Sequence, residues 1–363
     1  MTTRREFIEE SAGAVAGLAF VTCGLTGPAS AEAQTQPRRR EVVVNGRRVK
    51  TVDVHAHCAV PEAMALMNRK VSPETLLMSK ASDRIRAMDE QGIDVEALSI
   101  NPYWYRADRH VARQLIQIQN EKLAEACAAN PDRFVAFASV ALQHPDLAAE
   151  QLEEGVKKYG LRGAGLGGSV DGEELSSPRF HPFWAKAEQL GVLVFIHPQA
   201  DGAPATLGNR LKGSGGLENA IGNPLETTIA LSHLIFEGTL DRFPGLKICA
   251  AHGGGYLPSY AARSDHGCLT QPPRCAGGTY GPIKKTPTEY LGQMYYDTMV
   301  FTPEGLRHLA AEVGASQLVI GTDFPYPWTK TAVDHVLGTP GLSDEQKIAI
   351  LGGTAAALLG IRG

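Results

Sequence analysis

The chain has 363 residues, of which 43% are hydrophobic and 20% are charged, so it can bury a large core. Its formal net charge of -4 and isoelectric point near 6.3 give no reason to expect a nucleic-acid or polyanion partner. Length alone permits two or three domains, but α/β barrels of this size fold as one domain.

The N-terminal residues 1–33 are predicted to be a twin-arginine signal peptide. They contain the basic pair Arg4-Arg5, an apolar stretch from Ala12 to Leu25, and small residues at Ala29–Ala33 where cleavage can occur. The apolar stretch is shorter than the ~20 residues that span a bilayer, so we expect no membrane anchor once the signal is removed. The mature chain is expected in the periplasm or outside the cell.

Residues 34–50 are predicted to be a linker and a small hairpin that precede the main domain. The basic run Arg38–Arg40 is typical of a solvated linker. Val42–Val49 has Asn45-Gly46 at its centre, and this dipeptide is favoured in two-residue hairpin turns. Residues 51–363 are predicted to form a single barrel domain.

Eight apolar runs in residues 51–363 are predicted to be the strands of an α/β fold. Most are short and continuously apolar, as buried parallel strands are. Because helical stretches separate them, they indicate βαβ units, and eight such units indicate a (β/α)8 TIM barrel rather than an open doubly wound sheet. The runs are Thr51–His57, Val95–Asn101, Phe134–Val140, Arg162–Gly167, Val192–His197, Lys247–His252, Met294–Met299 and Leu318–Asp323.

Two helices have clear sequence signals. Apolar residues at helical spacing predict a helix from Asp108 to Ala129. The segment Asn223–Glu226 predicts the start of another helix, with Asn223 as its N-cap and a proline at its first position. These stretches supply two of the helices that the predicted βαβ units require.

A pair of histidines ends the first predicted strand. Because side chains alternate across a strand, Asp53, His55 and His57 are predicted to share one face, which in a barrel is the lumen. Val52 and Val54 are then predicted to face the helices. Two imidazoles one residue apart can chelate one metal ion, and imidazole suits zinc and other first-row ions.

Three further polar residues end apolar strands. His197 ends the fifth strand, His252 the sixth and Asp323 the eighth. The carboxyl ends of barrel strands meet at the catalytic face, so we expect these side chains to lie close to the first histidine pair. Three histidines and one carboxylate leave an open coordination position, as a catalytic metal site does. His252 can serve as the remaining base, because an unperturbed imidazole titrates near ~6.5.

With these motifs the sequence resembles the amidohydrolase superfamily, and within it the aminocarboxymuconate-semialdehyde decarboxylase group, which includes resorcylate- and carboxyvanillate-type decarboxylases. The resemblance extends from Thr51 to Ile361 and implies a TIM barrel of the metal-dependent hydrolase type. The segments that carry it are Asp53–His57, Arg84–Asp89, Asn130–Phe134, Phe195–Pro198, Pro224–Thr228, Arg242–Pro244, Ala251–Gly255 and Gly321–Pro325.

The resemblance implies a role for each residue of the predicted centre. His55, His57, His197 and Asp323 are the implied ligands of one divalent metal ion per chain, with zinc as the first choice and manganese as the alternative. His252 matches the catalytic histidine of the family. In the aromatic decarboxylases the strand-eight aspartate, here Asp323, also protonates the ring carbon before CO2 leaves.

The resemblance and the strand order also suggest residues that bind the substrate. The family implies a homodimer in which an arginine after strand six, here Arg263, reaches the partner's site. Asn101 and Trp104 follow strand two and are predicted to line the pocket. Arg84 is a further candidate, with a salt bridge as the alternative. The family's carboxylate-binding arginine lies in the loop after strand one, which is shorter here, and Arg69 is its candidate.

These residues predict a metal-dependent decarboxylase that acts on a small carboxylated aromatic or dienoic compound. One alternative is a metal-dependent hydrolase of a lactone, ester or amide, which uses the same centre. Another is an exported metal- or ligand-binding protein without catalysis, but binding alone does not need the spare base His252. Cys268 and Cys275 lie in one loop and either form a disulfide or stay reduced.

Overall fold

Eight short parallel strands carry the fold in the computed structural model, which describes residues 39–199, 208–276 and 281–362. The predicted signal peptide lies outside the described residues. Each of the eight predicted runs contains one strand. They are β1 (Val52–His57), β2 (Val95–Ser99), β3 (Phe134–Ala136), β4 (Gly163–Leu166), β5 (Leu193–Ile196), β6 (Lys247–Ala250), β7 (Tyr295–Asp297) and β8 (Leu318–Val319).

Helices separate the strands along the chain and cover the sheets. The described α-helices are α1 (Pro61–Ala65), α2 (Ala81–Gln91), α3 (Arg109–Ala129), α4 (Pro145–Lys157), α5 (His181–Leu190), α6 (Asn223–Phe236), α7 (Thr239–Arg242), α8 (Leu257–Thr270), α9 (Pro287–Leu291), α10 (Pro303–Val313), α11 (Ala332–Gly338), α12 (Asp344–Ile348) and α13 (Thr354–Leu359).

The strands form two parallel sheets in which chain neighbours are also spatial neighbours. One sheet has the order β8-β7-β6-β5-β4 and the other has the order β1-β2-β3. Isolated parallel bridges connect the sheets at both margins, at Ala138↔Ala164 and at Asp53↔Ile320. A doubly wound sheet reverses its strand order at a switch point, and this order has no such reversal. The α/β prediction with parallel sheets is therefore confirmed.

A β-bulge in β1 decides which of its side chains face the histidine cluster. The register between β1 and β2 shifts by one residue between Asp53 and Ala56. A bulge places one extra residue on one strand, so two successive side chains, Val54 and His55, point to the same side. Asp53 therefore faces the side opposite to His55 and His57.

The prediction that Asp53 shares a face with the two histidines is wrong, because alternation assumes an unbroken ladder. Val52 and Val54 instead belong to the apolar cluster that contains Phe195. The ring of Phe195 lies 5.1 Å from that of His55, so this cluster lies directly beneath the histidines.

The N-terminal hairpin is present, and the described basic residues before it, Arg39 and Arg40, pair with acidic residues of the fold. Val43–Val44 pairs with Arg47–Arg48 across a turn in which Asn45 and Gly46 have positive φ. Arg39 forms an ion pair with Asp94, and Arg40 forms one with Asp334. The chain is thus attached to the fold from residue 39 onward.

The two predicted helix starts have different outcomes. Asp108 caps α3, because its Oδ1 accepts a hydrogen bond from the backbone N–H of Val111 at 2.9 Å. Asn223 is not an N-cap, since a π-helical turn, Glu218–Gly222, leads directly into α6 and Asn223 has helical backbone angles. The helical run therefore begins earlier than the Asn-Pro signal suggests.

A disulfide joins Cys268, in the last turn of α8, to Cys275 in the short turn that follows the helix. The remaining cysteines of the described ranges, Cys58, Cys127 and Cys249, are free. None of the helices that the structure describes is both long enough and apolar enough to cross a membrane.

Candidate metal centre

Four side chains from three separate strands converge at the carboxyl ends of the strands. His55, His57, His197 and Asp323 each offer one ligand atom, and these atoms lie within 4.8 Å of one another. All four residues are buried, with relative exposures between 0% and 7%. The structure therefore brings the predicted ligand set together at one point.

The hydrogen bonds of the three rings leave a lone pair on each Nε2. His55 donates from Nδ1 to Asp297 Oδ2 at 2.6 Å, and His57 donates from Nδ1 to Ser99 Oγ at 3.2 Å. His197 donates from Nδ1 to the carbonyl of the residue that follows it, at 2.7 Å. A histidine that binds a metal through one nitrogen usually donates its other ring N–H in this way.

The donor set fits a divalent cation. The Nε2 atoms of His55 and His57 face each other at 3.1 Å, and Asp323 Oδ1 lies 3.2 Å and 2.9 Å from them. Two lone pairs this close repel unless a cation lies between them. Burial lowers the pKa of both His57 and His197, so these rings remain neutral ligands.

The carboxylate makes the centre electrically attractive to a cation. Burial opposes ionisation of Asp323, but the charge of His55 and the ring nitrogens of His252, His55 and His57 outweigh it and hold the pKa of Asp323 well below its usual range. Burial likewise opposes the charge on His55, but the carboxylates of Asp323 and Asp297 raise its pKa to about 10, so a metal ion that binds at its Nε2 would take the place of a proton. A buried anionic pocket lined by imidazole favours zinc or a similar first-row ion.

His252 lies beside this cluster without joining the ligand set. Its Nε2 is 3.9 Å from Asp323 Oδ2, and its side chain is 15% exposed. Among the described residues its Nδ1 has no hydrogen-bond partner. The ring therefore directs Nε2 at the cluster and keeps a second nitrogen without a hydrogen bond among the described residues.

The backbone at His252 and Asp323 is held in an unusual conformation. Both residues have positive φ, 55° and 59°, although neither is glycine. Gly255 follows His252 with φ +65, and a Cβ there would lie 2.1 Å from the carbonyl oxygen of Pro224. Non-glycine residues at positive φ cost about 1–3 kcal/mol and cluster at functional sites.

Asp297, at the end of β7, belongs to the site although the sequence reasoning missed it. Its carboxylate accepts hydrogen bonds from His55 Nδ1 and from the backbone N–H of His252. The available signal was a carboxylate that ends an apolar strand, the same signal that identified Asp323. The sequence of the run Met294–Met299 predicts a strand, and Asp297 carries the only carboxylate within it.

Two of the predicted substrate-binding residues are buried elsewhere and require correction. Trp104 is 0% exposed and donates from Nε1 to the carbonyl of Val140 at 2.9 Å, so it packs in the core and does not line a pocket. Arg84 is 3% exposed and donates to Glu96 Oε2 at 2.5 Å and to the carbonyl of His57 at 2.8 Å. Arg84 therefore forms a salt bridge, which was the alternative considered from the sequence. Its guanidinium also holds the backbone at the end of β1, the strand that carries two metal ligands.

Replacing Arg84 with methionine should lower the free energy of unfolding by about 3–5 kcal/mol, because Glu96 would remain buried without its partner. Both side chains of this pair are 3% exposed. Urea denaturation measures the change. The double variant R84M/E96Q removes the stranded charge and should recover most of the loss. A loss below about 1 kcal/mol in the single variant would contradict the assignment.

A cavity of about 450 Å³ adjoins the metal-ligand histidine His57. It has a mixed lining of aromatic, cationic and amide groups, which suits a small polar aromatic ligand. Asn101 and Arg69, both considered from the sequence, lie in its wall, whereas Arg263 is exposed on α8. The lining residues with polar or ring groups include His57, Arg69, Lys70, Asn101, Tyr103, Gln199 and Tyr326.

A buried carboxyl group, that of Glu226, forms a hydrogen bond with the backbone of Gln199, shortly after β5. Glu226, on α6, is 5% exposed, and its Oε2 accepts a hydrogen bond from the backbone N–H of Gln199 at 3.1 Å. Burial raises the pKa of Glu226 to about 7; the Gln199 N–H opposes this shift and the charge of Glu174 adds to it. Since Gln199 lines the cavity, this carboxyl shapes one wall of the site.

The stability of the chain should therefore depend on pH through Glu226. The unfolded chain ionises this group above ~4.3, whereas the folded chain does so only above about 7. The free energy of unfolding therefore falls as the pH rises between these values and levels off above pH ~7. The E226Q variant should match the wild type near pH ~4.5 and exceed its free energy of unfolding by up to about 4 kcal/mol above pH ~7. Urea unfolding at several pH values measures this, and a difference independent of pH would refute it.

The chain is similar to known enzymes over most of its length. A family model described as Amidohydrolase matches residues 52–361. The 2-amino-3-carboxymuconate-6-semialdehyde decarboxylase of Dictyostelium discoideum is 32% identical over 281 residues, which cover 77% of this chain and 76% of that protein. The gamma-resorcylate decarboxylase of Rhodococcus jostii is 30% identical over 300 residues, which cover 76% of this chain and 86% of that protein.

The chain is also similar in fold to a solved decarboxylase structure. The dihydroxybenzoic acid decarboxylase of Polaromonas, solved with bound manganese and the inhibitor 2-nitroresorcinol, superposes with a TM-score of 0.73 at 27% identity. The match covers 87% of this chain and 98% of that chain. The likeness therefore extends over nearly the whole described fold.

Proposed function

Because the chain belongs to the amidohydrolase family and to the group of decarboxylases within it, we propose that it removes CO2 from a small aromatic acid that carries a hydroxyl group beside the carboxylate. It is a metal-dependent carboxy-lyase. The observation that carries the proposal is a four-residue ligand set with one further histidine, His252, 3.9 Å from its carboxylate.

His55, His57, His197 and Asp323 would hold the metal ion. When bound there, a divalent ion supplies Lewis acidity that polarises carboxylate and hydroxyl oxygens of the substrate. The imidazole-rich set favours zinc, and manganese is the alternative because a structural relative was solved with that metal. Metal analysis of the purified protein decides between them.

Asp323 and His252 share the proton transfer. A proton adds to the ring carbon that bears the carboxylate, the bond to the carboxylate breaks, and its electron pair restores the aromatic ring as CO2 leaves. Asp323 Oδ2 faces His252 Nε2 at 3.9 Å, so His252 can return a proton to this oxygen after each turnover.

The cavity lining supports an aromatic acid as the substrate. Arg69 and Lys70 bring positive charge to a wall that also contains Tyr103 and Tyr326. Guanidinium and ammonium groups bind carboxylates, and aromatic rings pack against a flat substrate. Two relatives bear names that refer to a resorcylate and a dihydroxybenzoate, which have this chemistry.

The direct test is CO2 release from a panel of acids. The panel contains 2,6-dihydroxybenzoate, other dihydroxybenzoates, salicylate and 5-carboxyvanillate, and its controls are benzoate and the methyl ester of each acid. We expect CO2 from at least one hydroxylated acid and none from benzoate. Hydrolysis of the esters or of lactones without CO2 release would instead establish the hydrolase alternative.

We further propose that β1–β8 close into a (β/α)8 barrel spanning residues 51–363, preceded by the hairpin segment of residues 34–50. The parallel bridges at Ala138↔Ala164 and Asp53↔Ile320 support this, because they connect the two sheets at both margins. The shared apolar cluster, to which β1, β2, β5, β6 and β8 contribute, is what the filled interior of such a barrel requires.

We also propose that residues 1–33 direct export by the twin-arginine route, which carries folded proteins and therefore suits an enzyme loaded with metal before export. The support is the order of basic pair, apolar stretch and small residues in the sequence. N-terminal sequencing of the native protein after cell fractionation tests this. An uncleaved protein in the cytoplasm would refute it.

The active form is proposed to be a homodimer in which Arg263 reaches the partner's site. Its exposed position on α8 supports this. Each of the variants R263A and H252N should be inactive alone. After subunit exchange, mixed dimers would contain one complete site, and about a quarter of the wild-type activity should return. No recovery between dimers shown to exchange would contradict the proposal.

A further inference from the structure

The buried carboxylate of Asp297 accepts hydrogen bonds both from the metal-ligand histidine His55 and from the backbone of the second histidine, His252. Asp297 is 0% exposed and accepts four hydrogen bonds. Its Oδ2 accepts from His55 Nδ1 at 2.6 Å and from the backbone N–H of His252 at 2.9 Å. Its Oδ1 accepts from the backbone N–H groups of Gly253 at 2.8 Å and Met299 at 3.0 Å. Both oxygens are therefore saturated by donors.

The bond to His55 fixes the ring for metal binding. With Nδ1–H bonded to Asp297, His55 keeps Nε2 for an ion at the point where His57 Nε2 and Asp323 Oδ1 also converge, 3.1 Å and 3.2 Å from it. The opposite tautomer would place a proton where the ion must bind. Loss of such a supporting carboxylate typically lowers metal affinity 10- to 100-fold.

The bonds to residues 252 and 253 fix the direction of the second histidine. His252 has a φ of 55° and Gly253 one of 62°, so two successive residues adopt the left-handed conformation. The N–H groups of both point to the same carboxylate. This pair of bonds holds a turn that the backbone of a non-glycine residue otherwise disfavours.

We infer that Asp297 is a positioning residue that couples the metal site to His252, since it holds the metal-binding tautomer of His55 and the left-handed turn that directs the imidazole of His252 toward Asp323. The inference rests on the proposed function for the role of His252. Asp297 itself is not one of the four converging ligands and does not line the cavity beside His57.

Asparagine cannot replace this carboxylate, although it has the same shape. An amide has one acceptor oxygen, so its NH2 group must face two of the four N–H donors. If the NH2 faces Gly253 and Met299, the turn is weakened. If it faces His55, the ring must accept at Nδ1 and carry its proton on Nε2, which removes a ligand lone pair. Either orientation disturbs one half of the centre.

The test measures metal affinity and turnover separately in D297N. Zinc affinity is measured by competition with a chromogenic chelator, without substrate, and kcat is measured at saturating zinc with an acid that the wild type decarboxylates. We expect zinc affinity to fall 10- to 100-fold and kcat to fall at least about tenfold at full zinc loading, with KM changed less than about threefold.

Two further variants keep the test decisive. D297E retains the charge with a displaced carboxylate and should lie between the wild type and D297N, which also covers the case in which D297N does not fold. D94N is the matched control, because Asp94 is a buried acceptor of the Thr51 N–H at the start of β2. D94N should lose stability but keep zinc affinity within about threefold.

The zinc affinity tests the role of Asp297 toward His55, and kcat at saturating zinc tests its role toward His252. Unchanged zinc affinity in D297N and D297E would overturn the role of Asp297 toward His55. Full recovery of kcat at saturating zinc would overturn its coupling to His252. A wild-type protein that binds zinc but releases no CO2 would instead mark the failure of the proposed function, and the zinc measurements would still test the metal half.

Discussion

Replacing His252 with asparagine should lower kcat for CO2 release by about 100- to 10,000-fold while the metal stays bound. The ring lies 3.9 Å from Asp323 Oδ2 but is not among the four residues whose ligand atoms converge. Removing it takes away the group that returns a proton to Asp323 and leaves all four ligands in place. The measurement is kcat together with metal content in the same protein preparation.

The matched control for this variant is H308N. His308 lies on α10, about half exposed, where its Nε2 contacts Ser259 Oγ at 3.0 Å. It should keep wild-type activity and metal content, which separates a general effect of losing an imidazole from an effect at the site. An H252N protein that keeps more than about a third of the wild-type kcat would contradict the role given to His252.

Replacing His197 with alanine should remove both metal binding and activity. Three ligands are left, and the vacated side of the ion opens to water, so we expect zinc affinity to fall by at least about 100-fold and CO2 release to fall below detection at micromolar zinc. His197 is 7% exposed, and its Nδ1 donates to a neighbouring backbone carbonyl, so no buried side chain among the described residues loses a hydrogen-bond partner.

Thermal unfolding with and without zinc is the independent readout for this variant. A ligand at 100 times its dissociation constant stabilises the folded state by about 2.7 kcal/mol. The wild type should therefore unfold at a higher temperature with zinc than after chelation, and H197A should unfold at the same temperature in both. A zinc-dependent shift of wild-type size in H197A would show that the ion binds elsewhere.

The strands and the ligand set can be predicted from the sequence because they depend on local patterns. Short apolar runs such as Val192–His197 are buried on both faces, so composition alone identifies them as strands. The ligands end such runs, and parallel strands deliver their carboxyl ends to the same edge. His197 and Asp323 could therefore be predicted to lie together, although 126 residues separate them (323 − 197).

The remaining features depend on long-range geometry that the sequence does not display. Because of the bulge in β1, Asp53 faces the side of the strand opposite to His55 and His57. There its Oδ2 accepts a hydrogen bond from Thr322 Oγ1 at 2.5 Å. Nothing in the residues of β1 signals that extra residue. Asp297 and His55 are 242 residues apart, and only the folded chain shows that the carboxylate serves this ring. The same holds for Arg84, whose partner was not identifiable from its helix.

Titration of metal-free protein with zinc, while CO2 release is recorded, tests the central claim most directly. The ligand set predicts no release without metal and a linear rise that levels off at about one zinc ion per chain. The same titration with manganese compares the two candidate ions. Full CO2 release from metal-free protein would show that the four-residue centre does not carry the reaction, and so would the absence of release at any metal content from every acid in the panel.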